Sequence, residues 1–545
     1  MGEIGQTRGG SQLRAENVAR SLAIMGRMPT TARIIVWVLG LGLLGVSLYL
    51  APTISVLALA LLGLGLPLLV LLWYLPEFGL LAIIFLTSSF VPADIVDLRL
   101  PIGGGLDLRD LVLLGMLGLL SLRGLARGRL TVDWWPVGLP LLLFLGFGVF
   151  SAAYALFYQG VEVSWALAEL RAVLFYALFF VTSWGVTGRR QLAVLLGGLF
   201  VIADLTASVV VLRQFAGANS GLLAAIPGAD WWASQRHVAS AGFGAVRIVP
   251  PGHVLMYFMM VIAFCLMVFG HQDRRLRVIA ALQFVYLNVG LLLTYTRAQW
   301  AAAAVSLGLI LLVLIAAYKA QLARYLIIGS AVLLLGYSLF GAQLHERIEN
   351  MPFLLAVMDR ARSIFEPGEA MQSLSMEWRL FEAEESLRSI SERPLLGVGL
   401  GNAYRDVTTL QGEATGRFTS GSLAAGEGSR FTRFLHSSYL AIAVKMGLPA
   451  LMCFLWLCAA FLVKGWQLYR RLSKTYLRGI ALSVLASYVG LLLWSVFHQH
   501  LVQTEGTALV GLMIGLTASI YCMHGREPDT SPAHQRLQSL MADTE

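Results

Sequence analysis

The chain of 545 residues is 57% hydrophobic and 13% charged, with a mean hydropathy of +0.73. That balance excludes an ordinary soluble protein: a bilayer core about 30 Å thick needs about 20 apolar residues per helix, and such runs recur along nearly the whole chain. The formal net charge of +9 reflects loops held at anionic headgroups, so membrane lipids are expected partners and nucleic acid is not.

The predicted class is an all-α polytopic membrane protein. A polar tail, 1–33, precedes the first span and leaves it uncleaved; "LRAENVARSLAIMGRM" at 13–28 has apolar residues at helical spacing among arginines, as a helix on the inner leaflet would. Spans are expected near 34–50, 55–74, 78–92, 109–122, 135–155, 166–186, 192–212, 252–270, 276–294, 300–317, 325–340, 438–463, 478–496 and 506–523, a bundle of 12 to 14 helices. The expected layout is a cytoplasmic tail (1–33), a first part of the bundle (34–340), an extracytoplasmic loop (341–437), a last part of the bundle (438–523) and a cytoplasmic C-terminal tail (524–545). Cys265, Cys453, Cys458 and Cys522 fall within or at the end of apolar runs and read as small core residues.

Arginine and lysine mark the cytoplasmic face. Arg123, Arg127 and Arg129, "GRR" at 188–190, "DRRLR" at 273–277, Lys319 with Arg324, and "KGWQLYRRLSKTYLR" at 464–478 all fall on one side if the spans alternate from a cytoplasmic N-terminus. The opposite side receives 213–251, the turn "TYTRAQ" at 294–299, the loop 341–437 and "HQHLVQTEG" at 498–506.

The long loop is expected to carry its own helix over 371–392, stopped by "RPLLGVGLGN" and followed by a Gly- and Ser-rich stretch, 411–434. "GVGLGN" at 397–402, with Gly397, Gly399 and Gly401, lacks the preceding strand and P-loop lysine of a nucleotide loop, and reads as a turn that lets backbone approach backbone. The loop holds ten arginines and thirteen acidic residues, so most of its arginines read as a solvated, ion-paired surface.

Three arginines stand apart. Arg247 in "GAVRIVPPGHV" and Arg297 in "LLLTYTRAQW" sit at the rim of spans, where a charge either snorkels to headgroups or meets a ligand. Arg379 in "MEWRLFEAEE" is either ion-paired or ligand-binding. His436 opens the apolar run "HSSYLAIAVKMGLPALM" at 436–452; a lone histidine there is an anchor or a general base. Lys445, nine residues on, lies on the opposite face of a continuous helix. His498, His500 and Glu505, with Tyr404, make a possible substrate rim; too few ligands converge for a metal site, and neither metal nor cofactor is expected.

"ERPLLGVGLGNAY" at 392–404 followed by "HSSYLAIAVKMGLPALM" resembles the O-antigen ligase and Wzy-type polymerase superfamily. Its ligase pattern is His, then Asn, Ser or Gln, nine residues, Gly, two residues, and Gly, Thr or Tyr; His436, Ser437 and Gly447 match, and Ala450 departs. "LLLTYTRAQW" is similar to that family's Thr-x-Ser/Thr-Arg segment. The resemblance implies a GT-C-type bundle with a large helical extracytoplasmic loop in the bacterial inner membrane. It implies a metal-independent, inverting transfer of a glycan from undecaprenyl diphosphate to a lipid or glycan acceptor, outside the cytoplasm, in surface polysaccharide or lipopolysaccharide assembly. His436 would be the base, and Arg247, Arg297 and Arg379 would hold the donor diphosphate. Polymerisation of lipid-linked repeat units is the alternative, and a transporter or flippase of lipid-linked sugars is the reading from another class.

Overall fold

The computed structural model describes residues 71–88, 107–126, 135–216, 250, 252–269, 273–316, 355, 357–358, 374–405, 433–473 and 476–524. The expected N-terminal tail, the first span and the span at 325–340 lie outside the described residues, as do Arg247, most of 213–251 and most of 411–434.

Among the described residues all regular structure is helical. In chain order these are α1 (Pro76–Thr87), α2 (Leu108–Ala126), α3 (Trp135–Phe157), α4 (Val163–Leu174), α5 (Leu178–Gly185), α6 (Arg189–Ala216), α7 (His253–Phe269), α8 (Arg274–Leu292), α9 (Arg297–Ala316), α10 (Leu374–Glu392), α11 (Ser438–Met446), α12 (Leu448–Arg471), α13 (Tyr476–Trp494) and α14 (Thr504–His524). Among the described residues, eight segments are long and apolar enough to cross a membrane, with α4 and α5 counted as one; α1 and α7 are shorter apolar helices. The protein is therefore a multi-pass membrane protein.

The chain divides into two compact units, residues 1–79 with 115–131, and residues 80–114 with 132–545. In the first, Arg123 donates to the Trp73 carbonyl at 3.0 Å, which supplies a partner to a charge at the end of an apolar helix. The second unit carries the site.

In that unit α7 is buried along nearly its whole length, packed against α8 and α13, while α14 packs against α5. Little hydrophobic force drives one apolar helix against another in lipid, so close approach and interhelical hydrogen bonds do so. The Tyr257 hydroxyl of α7 donates to the Ser487 carbonyl of α13 at 2.9 Å, and the Ser306 hydroxyl of α9 donates to the Ala486 carbonyl at 2.9 Å. Outward, α8 exposes Val278, Leu282, Val285 and Val289, a stripe at helical spacing suited to acyl chains.

Several ionisable residues within the described spans have polar partners. Arg171 binds Asp107 at 3.0 Å and Asp110 at 2.8 Å, and Gln283 donates to Asp204 at 2.9 Å. Lys445 binds Glu169 at 2.8 Å.

Two expected spans are not continuous helices. The span over 166–186 is interrupted by a 3-10 turn, Phe175–Ala177, between α4 and α5. The span over 438–463 breaks at Gly447, whose φ of +85° ends α11 before α12 begins with Pro449 in its first turn. Left-handed backbone suits glycine, and proline suits a helix start but not its interior.

Candidate functional site

The break at Gly447 frees carbonyls at the end of α11, which would otherwise lack partners. The glycine turn after α10 fills them: Val398 N–H donates to the Val444 carbonyl at 2.8 Å, Gly399 N–H to the Lys445 carbonyl at 3.0 Å, and Leu448 N–H returns to the Pro394 carbonyl at 2.8 Å. Gly397, at φ +65°, has the Val444 carbonyl oxygen only 2.5 Å from where a Cβ would stand. Both the torsion and the approach therefore require glycine there.

Lys445 fixes the turn from below. Its ammonium reaches Glu169 of α4 at 2.8 Å and the Asn402 carbonyl at 2.6 Å, while the other Glu169 oxygen accepts the Gly401 N–H at 2.7 Å. The expectation for a continuous helix, with Lys445 and His436 on opposite faces, agrees with their separate partners: Lys445 serves the turn, and His436 faces elsewhere.

His436 precedes α11 and meets α10. Its Nδ1 lies 2.8 Å from Glu382 Oε2, and its backbone N–H donates to the same oxygen at 3.2 Å. A carboxylate only accepts, so an ionised Glu382 places the imidazole proton on Nδ1 and leaves the Nε2 lone pair available. Glu382 is 5% exposed and His436 39%, so the carboxylate is buried and the imidazole is open. Arg405 stands 4.0 Å from the other Glu382 oxygen and stacks over Phe381 and Tyr404.

Arg379 is one helical turn before Glu382 on α10. Burial lowers the affinity of its guanidinium for the proton, nearby Glu382 raises it, and the charge of Arg297 lowers it further. Arg297, from the turn between α8 and α9, thus comes near Arg379 although 82 residues separate them in sequence. Two like charges within electrostatic range of each other, near the buried Glu382 carboxylate, form a locus suited to a polyanion.

The other expected rim residues are differently placed. Tyr404 is buried, packed with Val398, Leu435, Ala441 and Val444, so it forms part of the wall under the His436 segment. His500 is buried rather than exposed, in a 3-10 turn between α13 and α14, with its ring 4.2 Å from Trp494 and 5.4 Å from His253. Burial, then His253 and His498, push its imidazole well below the usual histidine range. Glu505 is 4.0 Å from His253 Nδ1 and accepts the Val254 N–H at 3.3 Å. Ser438 joins this cluster to the His436 segment, since its hydroxyl donates to the His498 carbonyl at 2.8 Å and accepts the Leu501 N–H at 3.1 Å. No set of three or more His, Cys, Asp or Glu suited to a metal ion occurs among the described residues.

Sequence reasoning missed Glu382 and Arg405. The available signal was spacing: Glu382 follows Arg379 by three residues, on one face of a helix.

No curated protein matches the chain. Residues 282–455 match the Wzy_C family model, described as O-antigen ligase, and that stretch includes Arg297, Arg379, Glu382, the glycine turn, Arg405 and His436. Over that segment, about a third of its length, the chain is similar to the O-antigen ligase family.

Proposed function

We propose that this protein is an inverting, metal-independent glycosyltransferase, O-antigen ligase-like, that moves a glycan from undecaprenyl diphosphate to an acceptor hydroxyl at the outer face of the bacterial inner membrane. The observation that carries this reading is the His436–Glu382 contact at 2.8 Å, with Arg379 on the same helix and Arg297 close to it. Three of the expected site residues thus come to one place, while Arg247 lies outside the described residues.

The geometry assigns each group a task. Glu382 holds the Nδ1 proton, and Nε2 takes the proton from the acceptor hydroxyl. That oxygen bonds to the anomeric carbon from the face opposite the leaving group. The bond from that carbon to the phosphate oxygen breaks, and its electron pair leaves with the lipid diphosphate. The added negative charge develops beside Arg297 and Arg379, which neutralise it. Both substrates can enter sideways from the bilayer at headgroup depth.

The cations at the far ends of the same helices support this sidedness. Arg274, Arg275 and Arg277 start α8, which ends beside the Arg297 turn; Arg470 and Arg471 end α12, which starts beside Gly447. Positive ends favour the cytoplasmic face, which supports an extracytoplasmic His436. A transporter is the weaker reading, because Glu169, Arg171, Asp204 and Lys445 are already engaged within the protein.

The test is purified protein incubated with native lipid-linked glycan, with and without lipid A core as acceptor. Transfer only when the acceptor is present supports the ligase reading, and a ladder of longer lipid-linked products without it establishes polymerisation instead. Unchanged transfer by His436→Ala would refute the assigned chemistry under either reading.

A further inference from the structure

We propose that Trp165 and Arg433 form a sugar-binding platform beside His436, holding a pyranose ring of the glycan that is being transferred; the proposal rests on the transferase reading above. The Arg433 guanidinium lies 4.2 Å above the centroid of the Trp165 ring. Its Nε is buried without a hydrogen-bond partner, and no carboxylate pairs with it among the described residues. Stacking therefore fixes the plane of this arginine while its donors stay uncommitted, unlike Arg171 or Arg405.

The platform is tied to the reacting groups on two sides. Arg433 precedes His436 by three residues, so their Cα atoms are at most about 11 Å apart. Trp165 opens α4, where a Cβ on Gly401 would stand 2.5 Å from the Ala166 nitrogen. The glycine turn thus presses on this corner before leading to Tyr404 and Arg405. At the end of α3, which packs against α4, Tyr154 and Tyr158 stack at 5.6 Å, and the Gln159 amide donates to the Tyr154 hydroxyl at 2.8 Å.

This chemistry fits a sugar. The guanidinium covers one face of the Trp165 ring, so a pyranose would pack its C–H groups against the indole edge while its hydroxyls accept from the planar fork of donors; apolar rings with a few placed polar groups are the usual lining of small-molecule sites. Aromatic residues at headgroup depth explain Tyr158, which is 80% exposed, as a membrane anchor. They do not explain an arginine from the His436 segment laid on Trp165 with no acidic partner.

The test uses the full chain in lipid nanodiscs and two probes, farnesyl diphosphate, which has no sugar, and the native lipid-linked glycan extracted from cells. Trp165→Ala and Arg433→Gln are each expected to weaken the glycan-bearing lipid about tenfold while changing farnesyl diphosphate less than about twofold, and Trp165→Phe is expected to retain the glycan. Equal loss on both probes would make Arg433 a phosphate ligand and overturn the sugar platform; no loss on either would leave only a surface stacking pair and overturn it equally. Arg297→Gln with Arg379→Gln serves as the separate control: unaltered farnesyl diphosphate binding would refute the diphosphate assignment, whatever the ratio at Trp165 and Arg433.

Discussion

His436 and Glu382 meet at 2.8 Å across 54 residues of sequence. The contact needs two independent constructions: α10 must project Glu382 from its buried face, and the chain must enter α11 with the imidazole turned toward it. The glycine turn supplies the link, since it leaves α10 and pairs with the carbonyls that the break at Gly447 sets free.

Replacing Glu382 by Gln keeps the shape but removes the charge that fixes the Nδ1 proton. Transfer is expected to fall on the order of 10²-fold, within the range general-base contributions span. An unchanged rate would show that Glu382 does not act on His436.

Gly397→Ala forces a side chain into left-handed backbone and against the Val444 carbonyl. The torsion alone costs about 1–2 kcal/mol, and the clash displaces the turn from α11. Transfer should fall more steeply than thermal stability, because the turn joins α10, which carries Glu382, to α11, which begins two residues after His436. Wild-type transfer by a folded Gly397→Ala protein would contradict this.

Much of the site was legible because its parts are chemically unusual where they stand. A histidine ahead of an apolar run, arginines at the rim of spans and glycines spaced two apart each imply a constraint. Glu382 was not legible, being one of thirteen acidic residues in the loop; only folding distinguishes the carboxylate that is buried. The break at Gly447 was signalled by Gly447 followed by Pro449, but the hydropathy of 438–463 is continuous and outweighed it. The 3-10 turn at Phe175–Ala177 left no trace, since bilayer burial demands the same apolar residues from either helix type. The apolar helices among the described residues emerged readily because hydropathy acts over whole segments.

Lys445 and Glu169 allow the anchoring of the turn to be measured directly. Lys445 is 5% exposed and Glu169 30% on their side chains, so each single change leaves a largely desolvated partner behind. Lys445→Met is expected to cost about 3 kcal/mol, and Glu169→Gln less, because an amide still accepts the Gly401 N–H. The double variant should lose less than the sum of the two, read as a thermal-unfolding cycle in detergent. Strict additivity would mean that the pair does not hold the turn.

His500 predicts how acid affects the fold. Burial and the neighbouring His253 and His498 depress its folded-state pKa, while in the unfolded chain a histidine titrates near about 6.5. Between those two values the unfolded chain binds a proton that the folded chain refuses, so unfolding becomes easier as pH falls. The stability contributed by neutral His500 is thus complete above about pH 6.5 and is lost on acidification through that point toward the folded-state value. Melting temperatures taken from pH 8 down to pH 5 should decline below about 6.5, and His500→Gln, which keeps a polar group but cannot charge, should flatten that decline. An equally steep decline in the variant would assign the acid sensitivity to another group, such as His253, which faces Glu505 at 4.0 Å.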